Sequence, residues 1–232
     1  MKDTIYTIPV SEVFEPKEGC PLCRMRDTLE ERCLEYIMGA AMMEPDVRQD
    51  TNRQGFCTDH FRMMLTRKNR LSLGLMLQSH LDYIRQEVVG AKAPILGKDK
   101  RLEKAREVDE GCYVCARIDW AMERMLDTIL GLWQKEEAFR TLFSQQECIC
   151  FPHYRLLAQK AQEKLPKKAL PGFLEVAGGL TLGRLEALKG DVDRFCNLFD
   201  YRNAAPGPIP EEVRSSIERS ISYLCARQIG DK

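Results

Sequence analysis

Ten cysteines and three histidines hold most of the chemistry open to this 232-residue chain. Four of the cysteines form two Cys-x-x-Cys pairs, Cys20/Cys23 and Cys112/Cys115. Two histidines follow a cysteine at the same interval, giving Cys57/His60 and Cys150/His153. A two-residue gap lets both side chains of a pair turn onto one ion while the intervening amides approach the sulfurs. Three thiolates and an imidazole suit a soft or borderline divalent cation, and Cys3His is a common tetrahedral zinc set. Such a set fills all four positions and leaves none for a substrate, so it points to a structural ion.

The chain repeats itself, and the repeat separates ligands from bystanders. A shift of 92 positions carries Glu18, Gly19, Cys20, Cys23 and Asp27 onto Glu110, Gly111, Cys112, Cys115 and Asp119. The same shift carries Glu31, Arg32, Leu34, Ile37 and Gly39 onto Glu123, Arg124, Leu126, Ile129 and Gly131. After one inserted residue, Cys57, His60 and Arg62 fall on Cys150, His153 and Arg155. Each half thus reads Cys-x-x-Cys, a spacer, then Cys-x-x-His. The first expected ligand set is Cys20, Cys23, Cys57 and His60, and the second is Cys112, Cys115, Cys150 and His153. Cys148 faces Gly55 in the repeat, which makes Cys150 the better ligand. Cys33 faces Met125 and reads as a small core hydrophobe. Cys196 and Cys225, on apolar faces near the end, are read the same way.

Other uses of these residues fit less well. Iron–sulfur centres are held by cysteines, at times with histidine replacements, so an Fe–S redox or electron-transfer protein is the alternative to zinc. A thiol redox role for the Cys-x-x-Cys pairs lacks the surrounding βαβ pattern. A c-type haem needs a histidine directly after the second cysteine, where Arg24 and Ala116 stand. With two histidines assigned to metal, only His80 remains, and its apolar helical setting reads as a satisfied core residue. No phosphate loop, nucleophile elbow or His-Glu-x-x-His motif occurs. The pairs Glu30-Glu31 and Glu136-Glu137 read as ordinary helix surface. No catalytic residue is assigned, and the chain reads as more a binding or scaffold protein than an enzyme.

The elements that must position the ligands are helical. Met25, Leu29, Cys33, Tyr36, Ile37 and Ala40 recur three and four apart, predicting a helix over 21–43. Val114, Ile118, Met122, Met125, Ile129 and Leu132 or Trp133 predict another over 113–134. A helix of about 20 residues runs roughly 30 Å, so the chain must travel back to bring the second ligand pair home. A dozen extended residues reach about 40 Å, enough for the return. Glu136–Gln146 reads as a short return helix, and 44–55 as a looser stretch broken at Pro45. Further helices are expected over 61–65, 73–89, 180–199 and 211–226, the last after Pro206, Gly207, Pro208 and Pro210. The Asp200-Tyr201-Arg202 segment reads as a cap or dock for the helix before it. Each Cys-x-x-Cys is expected at a helix N-terminus, where the dipole favours thiolate. No sheet is expected.

Charge narrows the partners. Thirty-five basic and 35 acidic residues cancel, which argues against a surface built to coat nucleic acid or an anionic membrane. The best basic cluster (Lys98, Lys100, Arg101, Lys104, Arg106) is interleaved with Asp99, Glu103 and Glu107 and reads as a solvated helix face. No run of apolar residues is long enough to span a bilayer, and the N-terminus has no apolar targeting core. The expected compartment is the cytoplasm, where thiols stay reduced and cysteines mean metal or redox chemistry. The partner is unknown, a protein or small molecule being favoured over nucleic acid or membrane.

Three stretches carry a family resemblance: Ile8-Pro9-Val10 with Gly19-Cys20-Pro21-Leu22-Cys23, the run from Tyr36 to Arg48, and Gly55-Phe56-Cys57. With the later Phe199-Asp200-Tyr201-Arg202, they resemble the DUF6062 family of bacterial proteins of unknown function. The resemblance covers most of the chain; it implies a bacterial, anaerobe-associated source and supplies no activity. The fold expected is all-α, built of two pseudo-repeated helical units, each clamped by a Cys3His site holding one Zn2+. Its divisions are a first metal-binding repeat over 1–90, a connector over 91–110, a second repeat over 111–203 and a C-terminal helix over 204–232.

Overall fold

The computed structural model describes residues 7–92, 99–199 and 208–227. Lys98, Pro206, Gly207, the Asp200-Tyr201-Arg202 segment and the extreme N-terminus lie outside the described residues. Among the described residues the chain is all-α, with no strand. It forms two compact units that are not the two sequence repeats. One comprises Asp27–Met122, and the other Met1–Arg26 together with Glu123–Lys232. The chain passes from one unit to the other inside helix α2 (Pro21–Met38) and again inside α7 (Tyr113–Lys135).

The unit from the middle of the sequence, Asp27–Met122, is called inner for that reason alone, as the other is called outer. The inner unit holds the C-terminal part of α2, a 3-10 turn at Ala40–Met43, α3 (Pro45–Gln54), α4 (Thr58–Thr66), α5 (Arg70–Tyr83), α6 (Arg101–Glu110) and the start of α7. Helix α5 runs on into a π-helical turn, Ile84–Val89. Helix α3 occupies the stretch that the sequence suggested was loose. Pro45 begins it, its fixed φ and missing N–H being harmless in a first turn. Asp46 and Arg53 complement the dipole at its two ends. Only Val47 and Thr51 are buried along it, so it carries too thin an apolar stripe to be seen by periodicity. Gly55 ends it at φ +62. A Cβ there would meet the Val108 carbonyl oxygen at 2.9 Å, so both backbone angle and space call for glycine. Along α2 the buried face is Leu22, Met25, Glu30, Leu34, Ile37 and Met38. The expected stripe is therefore rotated: Leu29, Cys33 and Tyr36 line an open groove with Arg117 and Trp120.

The expected core histidine is one: His80 is buried and its Nδ1–H donates to the Asn52 carbonyl at 3.1 Å. The connector is largely helix α6, which buries none of its residues. Arg101 pairs with Asp99 and Arg106 with Glu110 along it, while Lys104 reaches Glu87 of the π-helical turn and Glu107 reaches Arg53 of α3.

The outer unit holds α1 (Ile8–Phe14), the first turn of α2, the rest of α7, α8 (Glu137–Ser144), α9 (Phe151–Lys164), α10 (Leu170–Asn197), α11 (Glu211–Arg214) and α12 (Ser216–Cys225). The helix that follows the second Cys-x-x-His is α9, not the later one expected over 180–199; α10 begins ten residues ahead of that span. The core is aromatic. Phe143 packs on Phe14, Trp133 and Phe173 with ring centroids 5.6, 5.3 and 5.5 Å away. Asp191 on α10 holds both Arg194 and, at 3.0 Å, Arg219 of α12, while the Tyr223 hydroxyl donates to the Thr181 carbonyl at 2.8 Å. Cys196 and Cys225 are exposed, which corrects their reading as core residues. No helix among the described residues is long and apolar enough to cross a membrane.

Candidate metal centres

All eight predicted ligands come together, but in exchanged pairs. Cys20, Cys23, Cys150 and His153 form one cluster, and Cys57, His60, Cys112 and Cys115 form the other. The pairing within each sequence half (Cys20 and Cys23 with Cys57 and His60; Cys112 and Cys115 with Cys150 and His153) is overturned. Each site instead joins the Cys-x-x-Cys of one half to the Cys-x-x-His of the other. The return path is what differs. The path expected as extended chain is instead helical, and the ten residues of α3 advance only about 15 Å. Helix α2 meanwhile leads away over about 27 Å.

Both sites are built alike. The Cys-x-x-Cys pairs lie at the starts of α2 and α7, which begin at Pro21 and Tyr113, directly after Cys20 and Cys112. The other pairs open α4 and α9, where Cys57 and Cys150 are the N-cap residues and the histidines lie in the first turn. His60 then shares a buried face with Met64, and His153 with Leu157 and Ala161. Burial of the stripe therefore aims the imidazoles inward.

Short loops draw the pairs together. In the inner unit the Tyr113 N–H donates to the Gly55 carbonyl at 3.0 Å, and Arg53 pairs with Glu107 nearby. A Cβ on Gly111 would fall 2.5 Å from the Gln54 carbonyl oxygen, so glycine permits this close approach. In the outer unit Lys17 Nζ donates to Gln145 at 2.7 Å, the Gly19 N–H to Glu147 at 2.6 Å, and Gln146 Nε2 to the Phe14 carbonyl at 2.8 Å. Arg24 clamps the Val13 carbonyl with two N–H groups.

The donor atoms of each cluster lie within 4.8 Å of one another. In the inner site His60 Nδ1 is 3.1, 3.2 and 3.5 Å from Cys57, Cys112 and Cys115, and Cys57 lies 4.0 Å from Cys115. In the outer site His153 Nδ1 is 3.6, 3.4 and 3.1 Å from Cys20, Cys23 and Cys150, and Cys23 lies 3.6 Å from Cys150. A tetrahedral zinc with ordinary bond lengths sets sulfurs about 3.8 Å apart and sulfur and nitrogen about 3.5 Å apart. The sulfur–sulfur spacings lie within about 0.2 Å of that figure and the sulfur–nitrogen spacings within about 0.4 Å, and all ten cysteines are free thiols. Cys148 is buried beside the outer site but is not one of its four donors; burial pushes its thiol up to about 12.

Electrostatics single out one sulfur per site. Burial opposes ionisation of Cys112, but the His60 ring and the Cys115 and Cys57 amides hold it down at about 6. Cys20 is likewise lowered against its burial, by contacts from Cys150, Cys23 and His153. Both are the first cysteine of their Cys-x-x-Cys. Their second partners move the other way: Cys115 and Cys23 are raised, Cys115 chiefly by burial and Cys23 chiefly by the Cys150 sulfur. Crowded thiols cannot all ionise without a cation among them, and a divalent ion is what such a site accepts.

One side chain at the inner site departs from its sequence reading. Glu30 is not helix surface; it is 9 % exposed and accepts a hydrogen bond from His60 Nε2 at 3.0 Å. Burial works against protonation of His60, while the Cys112 and Glu30 contacts raise it to about 10. A signal was present, since Glu30, Leu34 and Ile37 lie at i, i+4 and i+7 on one face.

A family model covers residues 1–231. The chain belongs to the DUF6062 family. That family is described as one of unknown function. No curated protein and no solved structure matches the chain. What this DUF6062 protein offers chemically is therefore read from its own geometry: two clusters, each of three thiols and an imidazole, that could hold a metal ion.

Proposed function

We propose that this DUF6062 protein is a zinc-binding helical scaffold whose two Cys3His sites each hold one structural Zn2+. The observation that carries the reading is the closed, four-donor geometry of both clusters, at the spacings of a tetrahedral zinc. Three sulfurs and one nitrogen complete the coordination, so no position is left for substrate or activated water. The ion serves as a clamp: Cys20 and Cys23 with Cys150 and His153, and Cys57 and His60 with Cys112 and Cys115, are segments distant in sequence that one bond network would lock together. Binding energy of this kind is folding energy. The neutral overall charge favours a protein or small-molecule partner over nucleic acid.

An iron–sulfur cluster would use the same residues differently. Several irons and sulfides lie between the ligands of such a cluster and hold their sulfurs farther apart than one ion does. Elemental analysis of anaerobically purified protein separates the two. About two zinc per chain without iron or labile sulfide is the expected result. Absorption at about 400 nm, with iron and sulfide present, would overturn it.

A further inference from the structure

The two sites are not equivalent. His60 in the inner site offers Nδ1 to the thiols and turns Nε2 onto the Glu30 carboxylate at 3.0 Å, with the ring 1 % exposed. His153 in the outer site offers Nδ1 to the same kind of donor set. Among the described residues no carboxylate reaches its Nε2. In the repeat, the shift of 92 positions that matches Cys20 to Cys112 sets Met122, which carries no carboxylate, opposite Glu30. A thioether is a poor acceptor and holds no N–H in place.

We propose that Glu30 is a positioning residue that makes the Cys57/His60/Cys112/Cys115 site the tighter of the two metal sites and the one filled first. The inference rests on the metal-binding reading above. A carboxylate on Nε2–H fixes the ring so that the Nδ1 lone pair faces the ion, and it removes the rotational freedom that binding would otherwise have to freeze. Partners of this kind ordinarily change metal affinity about 10- to 100-fold. The acid is held by its own helix: Glu30 lies mid-way along α2 between Met25 and Leu34, both buried, so its side chain is anchored before any ion arrives.

The test is competition of the zinc-loaded full chain against a chromophoric chelator, for the wild type, Glu30→Ala and Glu30→Gln. The wild type is expected to release zinc in two phases. A Cys23→Ser chain, left with the inner site alone, should show only the tighter one. Glu30→Ala weakens that phase about 10- to 100-fold and leaves the other unmoved; Glu30→Gln, which keeps an oxygen acceptor, recovers much of the loss. The zinc-loaded wild type should also show a slowly exchanging His60 Nε2–H proton by NMR, kept in Glu30→Gln and lost in Glu30→Ala. Should Glu30→Ala fail to fold, the Glu30→Gln affinity and the NMR signal carry the test. Equal sites in the wild type, or Glu30 variants that move neither phase or both alike, would overturn the inference and leave the metal sites standing. A wild-type chain that takes up no zinc overturns the metal reading itself.

Discussion

The Tyr113 amide donates to the Gly55 carbonyl at 3.0 Å, and this single backbone bond ties the segment entering Cys57 to the segment leaving Cys112. Gly55 adopts φ +62, and the Val108 carbonyl oxygen lies 2.9 Å from where a Cβ would be. Gly55→Ala should therefore cost about 1–3 kcal/mol in strain and loosen zinc in the inner site. Gly74→Ala is the natural control, since it lies inside α5 with nothing within 4 Å of an added Cβ. That change should raise stability by about 0.5–1 kcal/mol. Denaturant titration of both variants checks the contrast, and equal effects would show that Gly55 is not under the constraint described.

The exchanged pairing of ligands has a stoichiometric consequence. Cys57 and Cys112 serve one site, whereas Cys23 and Cys57 serve two. The double variant Cys57→Ser/Cys112→Ser should lose one of two zinc ions, and Cys23→Ser/Cys57→Ser should lose both. Pairing within each sequence half would give the reverse. Mass spectrometry of the intact, metal-loaded proteins reads the answer directly. Limited proteolysis adds a second readout: Cys57→Ser should open cleavage within Asp27–Met122 before the outer unit yields.

Much of this site was legible in the sequence, and the part that was not has a physical cause. The two-residue spacing marked the eight donors, a local property of helix starts, and the register of the repeat chose Cys150 over Cys148 by setting Gly55 opposite Cys148. Partner choice is not local. The two Cys-x-x-Cys pairs are chemically interchangeable, and nearness along the chain is a weak guide, since doubling a loop costs only about 0.6 kcal/mol. The directions of α2 and α3 decide it, and α3 was hidden by its polar surface. Glu30 escaped for the same reason that most acids are rightly placed outside: only a hydrogen-bonding partner on a distant helix makes its burial tolerable. The helices α2 and α7 were plain from their periodicity and α8 was expected as the short return helix, while α9 was hidden behind the motif that opens it.

The outer unit depends on its aromatic cluster as well as on any ion. Phe143 is fully buried and touches Phe14, Trp133, Phe139 and Phe173. Phe143→Ala removes the ring from the middle of that group, and the surrounding rings can only partly collapse. A loss of about 3–5 kcal/mol is expected, read as a lower denaturant midpoint for the outer unit. Phe143→Leu should recover part of it. A loss under about 1 kcal/mol would mean the cluster repacks freely, against the close-packed arrangement described.

Acid sensitivity offers a test of the C-terminal packing that involves no ligand. Asp191 sits between Arg194 and Arg219, and those contacts, Arg194 first, hold its carboxyl below the ordinary value. In the unfolded chain the group titrates at about 3.9. Its folded value is lower, so its contribution is fully present above that pH and fades as pH falls through the folded value. Asp191→Asn should therefore be less stable than the wild type at neutral pH, with the gap between them closing below about pH 4. Thermal melts of the two proteins from pH 7 downward make the comparison. A gap that stays constant across that range would assign the role of Asp191 to packing between α10 and α12, with its charge contributing nothing.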